Sequence, residues 1–183
     1  MTRFKALRLV VLAVALAMLL VPAAQAAPIG TLKQHRLPTA NSGPRSITNG
    51  SDGNRWFVAG NPNSVLESPP IGRITPAGEI TEFPVSCSFC SLSDIVQGPG
   101  GVLYYTSNDP VLGRITTSGQ FLDPIPMPNS NAVAGDIAVH GDDVWITDFN
   151  NDVLWRYDIP TGQFTRFDVP QPGDVAVDAA GIV

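Results

Sequence analysis

Two cysteines, Cys87 and Cys90, form the only Cys-x-x-Cys pair in the chain. In a cytosolic βαβ protein this spacing indicates thiol redox chemistry. Here no helical pattern follows the pair, and the N-terminus, described below, indicates export. The sequence therefore predicts a small-loop disulfide between two repeats, since disulfides persist in oxidising compartments. A catalytic dithiol and free thiols remain alternatives. A metal site would need two further ligands, none of which lies nearby in the sequence, so we predict none.

Three aspartates, Asp94, Asp136 and Asp174, each precede an apolar pair. Acids at one repeating position could hold a cation. Alternatively, each could cap backbone N–H groups of the neighbouring repeat. We favour capping, because one acid recurs at the same place in successive repeats.

The two histidines, His35 and His140, have no carboxylate or hydroxyl partner at catalytic spacing. His35 lies in a predicted outer strand and His140 in a predicted turn. Both positions favour solvated side chains, so neither histidine is predicted to be catalytic.

A motif that recurs about every forty residues must position these groups. Ile71–Thr75 returns as Leu112–Thr116 and, more loosely, as Val153–Tyr157, and the three arginines lie 41 and 42 residues apart. This period, with four short strands in each repeat, is typical of a β-propeller blade. We expect the arginines to bond between blades, with their stems packed on aromatic side chains. They are Arg73, Arg114 and Arg156.

The predicted fold is an all-β propeller of four-stranded antiparallel blades. The first strands begin near residues 46–48, 94–96, 136–139 and 174–177, and aromatic, β-branched second strands follow in the first three repeats. Blade repeats are predicted at 31–83, 84–125 and 126–169, with an incomplete blade at 170–183. Propellers usually close with four to eight blades. We therefore expect about three and a half blades of six or seven, the N-terminal part of a longer protein, and self-association through uncovered blade faces.

Residues 1–26 read as a secretory signal peptide, followed by the partial propeller at 27–183. Arg3, Lys5 and Arg8 precede an apolar run of thirteen residues and an Ala-x-Ala cleavage site at 24–26. An uncleaved anchor is the alternative. The leader holds three of the 11 basic residues and none of the 16 acids, leaving a net charge of −8. We expect an extracellular or periplasmic protein with no nucleic-acid partner and, after cleavage, no membrane partner.

Three phrases, at 41–47, 51–57 and 71–84, resemble the streptogramin lyase (virginiamycin B lyase) family of seven-bladed propellers. The resemblance extends from about Leu32 to the end of the chain. It implies a metal-assisted lyase that opens the lactone of a cyclic depsipeptide by eliminating across the ester C–O bond. In such chemistry a general base removes a proton α to a carbonyl while a divalent cation, here Mg²⁺, stabilises the enolate.

The resemblance also implies where the catalytic groups of the family lie. Two histidines follow Gly-Pro at the start of a first strand, and a glutamate closes the next strand. In this chain the histidine position holds Arg45, Ser93, Gly135 and Gly173, and the glutamate position holds Ala59, Ser107 and Asp148. No blade supplies histidine followed by glutamate. We therefore predict no catalytic residue in this chain, and Arg45, Ser93 and Asp148 as ligand-binding residues.

Two functions fit this sequence. In the first, a secreted propeller binds a small molecule, peptide or glycan on its face, without catalysis by this chain and without a cofactor in it. In the second, the full-length parent is a Mg²⁺-dependent C–O lyase, or a related lactone-acting enzyme. The secretion signal favours binding, because an enzyme that detoxifies a ribosome-directed antibiotic is expected inside the cell.

Overall fold

The computed structural model describes residues 33–60, 69–87 and 90–183. The chain divides into two units, Met1–Gln34 and His35–Val183. The predicted signal peptide lies outside the described residues, and the description below concerns the second unit.

Within the described ranges, twelve strands form three four-stranded sheets. The first sheet contains β1 (Pro44–Asn49), β2 (Arg55–Ala59), β3 (Pro70–Ile74) and β4 (Ile80–Pro84). The second contains β5 (Leu92–Gln97), β6 (Val102–Ser107), β7 (Val111–Thr116) and β8 (Phe121–Pro126). The third contains β9 (Ala134–His140), β10 (Asp143–Asp148), β11 (Val153–Asp158) and β12 (Gln163–Asp168). A short 3-10 helix at Pro99–Gly101 precedes β6.

Each sheet is an antiparallel meander in which every strand pairs with the next one along the chain. The first strands of successive sheets contact one another, β1 with β5 and β5 with β9. The predicted fold class, a β-propeller with four-stranded antiparallel blades, is confirmed. Among the described residues there is no helix of the length and apolarity that crossing a membrane requires.

Two apolar clusters hold the three sheets together. Trp56, Val58 and Ile71 of the first sheet meet Leu103 and Ile115 of the second. A second cluster joins the other side of the second sheet to the third, with members that include Tyr104, Leu112, Val144, Ile146 and Trp155. Because side chains alternate across a strand, the second sheet contributes to both clusters. Trp56 and Trp155 are core residues. Trp145 lies on the opposite face of the third sheet and packs on Phe167 with ring centroids 5.5 Å apart.

One aromatic ring packs across the second and third strands in each blade. Phe57 lies opposite Gly72, and Tyr105 opposite Gly113. A Cβ on either glycine would lie about 2 Å from that ring, at 2.0 Å from Phe57 and 2.2 Å from Tyr105. In the third blade the large ring comes from the other strand, as Trp155 opposite Ile146. In each blade one aromatic side chain therefore fills the space beside the second and third strands, and it comes from either of these two strands.

The predicted first strand of a fourth blade, at 174–177, is not a strand. A strand is defined by its ladder of backbone hydrogen bonds. Among the described residues this segment has no such ladder, and its link to the third sheet is a bond from Val175 N to Asp136 Oδ2 at 2.7 Å. His35 also lies outside any strand, with its imidazole against Gly78. His140 is the last residue of β9 and not a turn residue.

The prediction that the arginines bond between blades is wrong for two of them. Arg114 donates to the carbonyl of Asp123 at 2.7 Å and Arg156 pairs with Asp143 at 2.8 Å, both within one blade. Arg156 and Asp143 are diagonal neighbours across β10 and β11, which places their side chains on one face. The guanidinium of Arg73 packs over Trp56 at 5.7 Å from the ring centroid, in agreement with the predicted aromatic contact.

Candidate functional site

Each inner strand carries a register irregularity at the same place near its start. The break falls between Pro44 and Ile47 in β1 and between Leu92 and Ile95 in β5. In β9 the break falls between Ala134 and Ile137, opposite the end of β10. Bulges of this kind re-aim side chains and are frequent next to binding sites. The three bulges contain residues 45–46, 93–94 and 135–136, so each histidine-position residue is followed by a serine or an aspartate.

A chain of hydrogen bonds runs across the blades at the second bulge position. Ser46 Oγ donates to Asp94 Oδ1. Asp94 Oδ2 accepts from Ile137 N in the next blade at 3.0 Å, and Asp136 Oδ2 accepts from Val175 N at 2.7 Å. The capping role predicted for these aspartates is confirmed for Asp94 and Asp136, because each of the two binds a backbone N–H beyond its own blade.

Two threonine hydroxyls complete this arrangement, and sequence reasoning missed them. Thr106 Oγ1 accepts from Asp94 N at 3.1 Å, and Thr147 Oγ1 accepts from Asp136 N at 2.9 Å. Thr106 Oγ1 also donates to Gly135 O in the next blade. The signal was the recurrence of threonine at one second-strand position, 106 and 147, directly opposite the bulge.

The pKa of Asp136 is raised from 3.8 to about 6, first by burial and then by its side-chain hydrogen bond with Asp94. The charges of Asp94 and Asp174 act in the same direction, whereas the bond from Val175 N lowers the pKa. Two carboxyl groups that share a hydrogen bond favour one proton between them.

Asp148, predicted to bind a ligand, closes β10 and has no exposed surface. Its Oδ1 accepts from Val133 N at 3.2 Å and its Oδ2 from Trp155 Nε1 at 3.2 Å. The side-chain amide of Asn151 donates to both oxygens, at 2.9 and 2.8 Å. These bonds connect β10, β11 and the segment before β9. A ligand would reach this carboxylate only by displacing one of those donors.

The other two predicted ligand-binding residues lie in the bulges. Arg45 is exposed, and its side chain lies over Gly60, where a Cβ would be 3.3 Å from its Nε. It also borders a cavity of about 330 Å³ with Phe57 and Ile74. Ser93 is half-buried at the matching position of β5. The structure thus places Arg45 and Ser93 at matching positions of adjacent inner strands, and Asp148 opposite Ala134 at the end of β10.

A sequence profile described as the Virginiamycin B lyase family matches residues 23–179. The chain belongs to the virginiamycin B lyase family. The predicted resemblance is confirmed by this match, which covers most of the chain.

Solved structures of this family have the same fold. Virginiamycin B lyase from Staphylococcus aureus is 29% identical, with a TM-score of 0.67 over 80% of this chain and 48% of its own. A streptogramin B lyase structure is 28% identical, with a TM-score of 0.66 over 78% of this chain and 46% of its own. A catalytically inactive variant of the S. aureus enzyme, solved with quinupristin, is similar at 29% identity and a TM-score of 0.67, over 78% of this chain and 47% of its own. This virginiamycin B lyase family chain therefore spans about half the length of these lyases.

More distant structures share the fold alone. A chain of the nidogen/laminin complex is 16% identical with a TM-score of 0.59, over 75% of this chain and 53% of its own. The extracellular domain of a putative one-component system, BT4673 from B. thetaiotaomicron, is 18% identical with a TM-score of 0.60, over 82% of this chain and 20% of its own. A comparison with curated protein sequences finds no match.

The three-ligand grouping found among the described residues of this virginiamycin B lyase family chain does not suit Mg²⁺, which prefers oxygen ligands in octahedral geometry. Within 33–60, 69–87 and 90–183, the only grouping of three candidate ligands is Cys87, Cys90 and Asp109. Two of its three ligands are sulfur atoms, and these atoms are bonded to each other as a disulfide. The Asp94 and Asp136 carboxylates are occupied by backbone N–H groups.

Proposed function

We propose that this chain supplies a ligand-binding face of a secreted virginiamycin B lyase-type propeller and no bond-breaking group of its own. The observation that supports this most directly is which residues occupy the histidine and glutamate positions in the three blades. The strand-closing positions Ala59, Ser107 and Asp148 are all buried, and the bulge positions carry no histidine. A general base must reach the proton that it removes, and none of these positions offers one.

The proposed ligand is a small molecule, peptide or glycan. Family membership favours a cyclic depsipeptide, because a solved variant of the S. aureus lyase is described with quinupristin. Exposed Arg45 and half-buried Ser93 offer a cation and a hydroxyl on adjacent blades. Binding sites combine apolar lining with a few such polar groups that orient the ligand.

Quinupristin incubated with the purified chain, with and without Mg²⁺, tests both parts of this proposal. Elimination opens the lactone without adding water, so the product has the mass of the substrate but a different chromatographic retention. We expect binding by isothermal titration and no such product, with the S. aureus lyase as the positive control. Appearance of the isomeric product would contradict the absence of catalysis, and absence of binding would contradict the ligand role.

A second candidate function is supported by the family match itself. This chain would then be one part of a Mg²⁺-dependent lyase whose general base and metal ligands lie outside these 183 residues. The same assay, applied to the protein as its host expresses it, separates the two functions. Mg²⁺-dependent opening that is lost in EDTA favours the lyase, and ligand binding without opening favours the binding propeller.

We also propose export, on the basis of the N-terminal leader. N-terminal sequencing of the protein from culture medium or periplasm is expected to begin at Ala27. Retention of residues 1–26 on a cell-associated protein would contradict cleavage.

A further inference from the structure

In the first and third blades, the first bulge residue of the inner strand packs against the residue that follows the second strand. In the first blade Arg45 covers Gly60. In the third blade the roles are reversed, because Gly135 is the bulge residue and Phe149 covers it. A Cβ on Gly135 would lie 1.9 Å from the Phe149 ring, so the two positions hold only one large side chain.

Backbone hydrogen bonds show that these pairs are equivalent. Gly60 N donates to Gly43 O at 3.2 Å, and Phe149 N donates to Val133 O at 3.2 Å. In each blade the residue after the second strand therefore bonds to the residue two positions before the bulge residue. In the second blade Asn108 N makes the matching bond to Ser91 O, also at 3.2 Å, which places Asn108 beside Ser93.

The Phe149 ring is 49% exposed, although it is anchored on one side by Gly135. Gly135 is buried, and its carbonyl accepts from Thr106 of the middle blade. The ring is thus held against the backbone at the level of the bulges. Aromatic rings supply a large contact area with little loss of side-chain entropy on binding.

We infer that Phe149 is a ligand-contacting residue of the same face, substituting for the side chain that Gly135 lacks. This inference rests on the proposed binding function and extends it to a ligand class. Arg45 and Phe149 lie on the first and third blades, with the inner strand β5 of the middle blade between their inner strands. The face fits a peptide-sized ligand that carries an exposed aromatic or aliphatic ring toward the third blade and an acceptor or anion toward the first.

The experiment uses the full chain, quinupristin as the probe and two independent changes. Phe149→Ala removes the ring, and Gly135→Ala displaces it, because the new Cβ would overlap the ring. Loss of one ring contact corresponds to about a tenfold increase in Kd, which we expect for both variants. Phe149→Tyr keeps the ring and is expected to bind like wild type. Phe121→Ala, at another exposed phenylalanine, is the matched control. Thermal melts establish that each variant is folded.

A direct readout accompanies the affinities. With ¹³C-labelled phenylalanine, quinupristin is expected to shift the Phe149 ring resonances, assigned from their loss in Phe149→Ala, and to leave those of Phe121 in place. If wild type binds but Phe149→Ala and Gly135→Ala bind equally well and the ring signals do not move, the inference is overturned and the proposed function stands. If wild type does not bind quinupristin, the proposed function and the inference fall together.

Discussion

At the scale of single residues, two aspartates link neighbouring blades by hydrogen bonds. Asp94 binds Ile137 N and Asp136 binds Val175 N, so each carboxylate satisfies a backbone donor that its own sheet does not reach. Asp148 does the same within its blade, for the backbone before β9 and for Trp155. Removing a partner from a buried donor costs about 1–3 kcal/mol. The primary role of these aspartates is therefore structural, although they lie at the level of the proposed ligand face.

The chain of carboxylates makes stability depend on pH. The pKa of Asp136 is raised from 3.8 to about 6, so the folded chain holds a proton that the unfolded chain releases. Its stabilising contribution is full below about pH 4 and is lost as pH rises through about 6. Asp136→Asn keeps an acceptor for Val175 N and a donor for Asp94 but does not ionise. From pH 4 to 7 we expect wild type to lose about 1 kcal/mol of unfolding free energy relative to the variant, because solvent screens part of the shift.

Urea unfolding at pH 4, 5, 6 and 7 measures this difference, with Asp123→Asn at an exposed position as the control. Parallel pH profiles for wild type and Asp136→Asn would show that Asp136 does not carry the dependence.

At the scale of elements, the strand order of each blade follows from local pattern. The repeat of about forty residues and the aromatic, β-branched second strands predict the four-stranded blades, because each strand pairs with its sequence neighbour. The partners of the arginines could not be predicted in the same way. They depend on cross-strand register, which puts Arg156 diagonal to Asp143 within its own blade.

Phe149 could not be identified as a site residue from the sequence, for a related reason. A single exposed phenylalanine after a strand is unremarkable on its own. Its role becomes visible only when the backbone bonds of Gly60 and Phe149 are seen to be equivalent, and when Gly135 is found beneath the ring. A similar exchange occurs between the second and third strands. In the second blade the large side chain is Tyr105 on the second strand, opposite Gly113, whereas in the third blade it is Trp155 on the third strand, opposite Ile146.

Gly113 is predicted to be intolerant of any side chain. In Gly113→Ala the new Cβ would lie 2.2 Å from the Tyr105 ring, which is buried and cannot move freely. We expect a loss of about 1–3 kcal/mol of unfolding free energy. The control is Gly173→Ala, which is exposed and has nothing within 4 Å of the new Cβ. In a Tyr105→Leu background the penalty of Gly113→Ala is expected to shrink. Equal penalties in both backgrounds, measured by urea unfolding, would locate the strain elsewhere.

At the scale of the whole molecule, the apolar clusters of the described residues cover both faces of the middle blade and one face of each end blade. The second sheet contributes to both apolar clusters. The opposite face of the first sheet contains Ile47, which is 63% exposed, beside the cavity that Arg45 borders. The opposite face of the third sheet contains Phe167, which is 40% exposed, and a cavity of about 270 Å³ between Leu154 and the segment around Val175. These two faces, defined by Ile47 and by Phe167, are the end faces of the three described blades.

We predict that the chain associates with itself through these two end faces. Blade packing is repetitive, so a face shaped to receive a neighbouring sheet can receive the complementary end face of a second copy. Sedimentation velocity across a concentration series is expected to show species larger than the monomer. Ile47→Asp and Phe167→Asp, each of which places a charge on one end face, are expected to shift the distribution toward monomer. Phe121→Asp, a matched change at a residue 37% exposed on the middle blade, is expected to leave it unchanged. A monomer that melts sharply and cooperatively at every concentration would refute the prediction, because it would show that both end faces are stable in water.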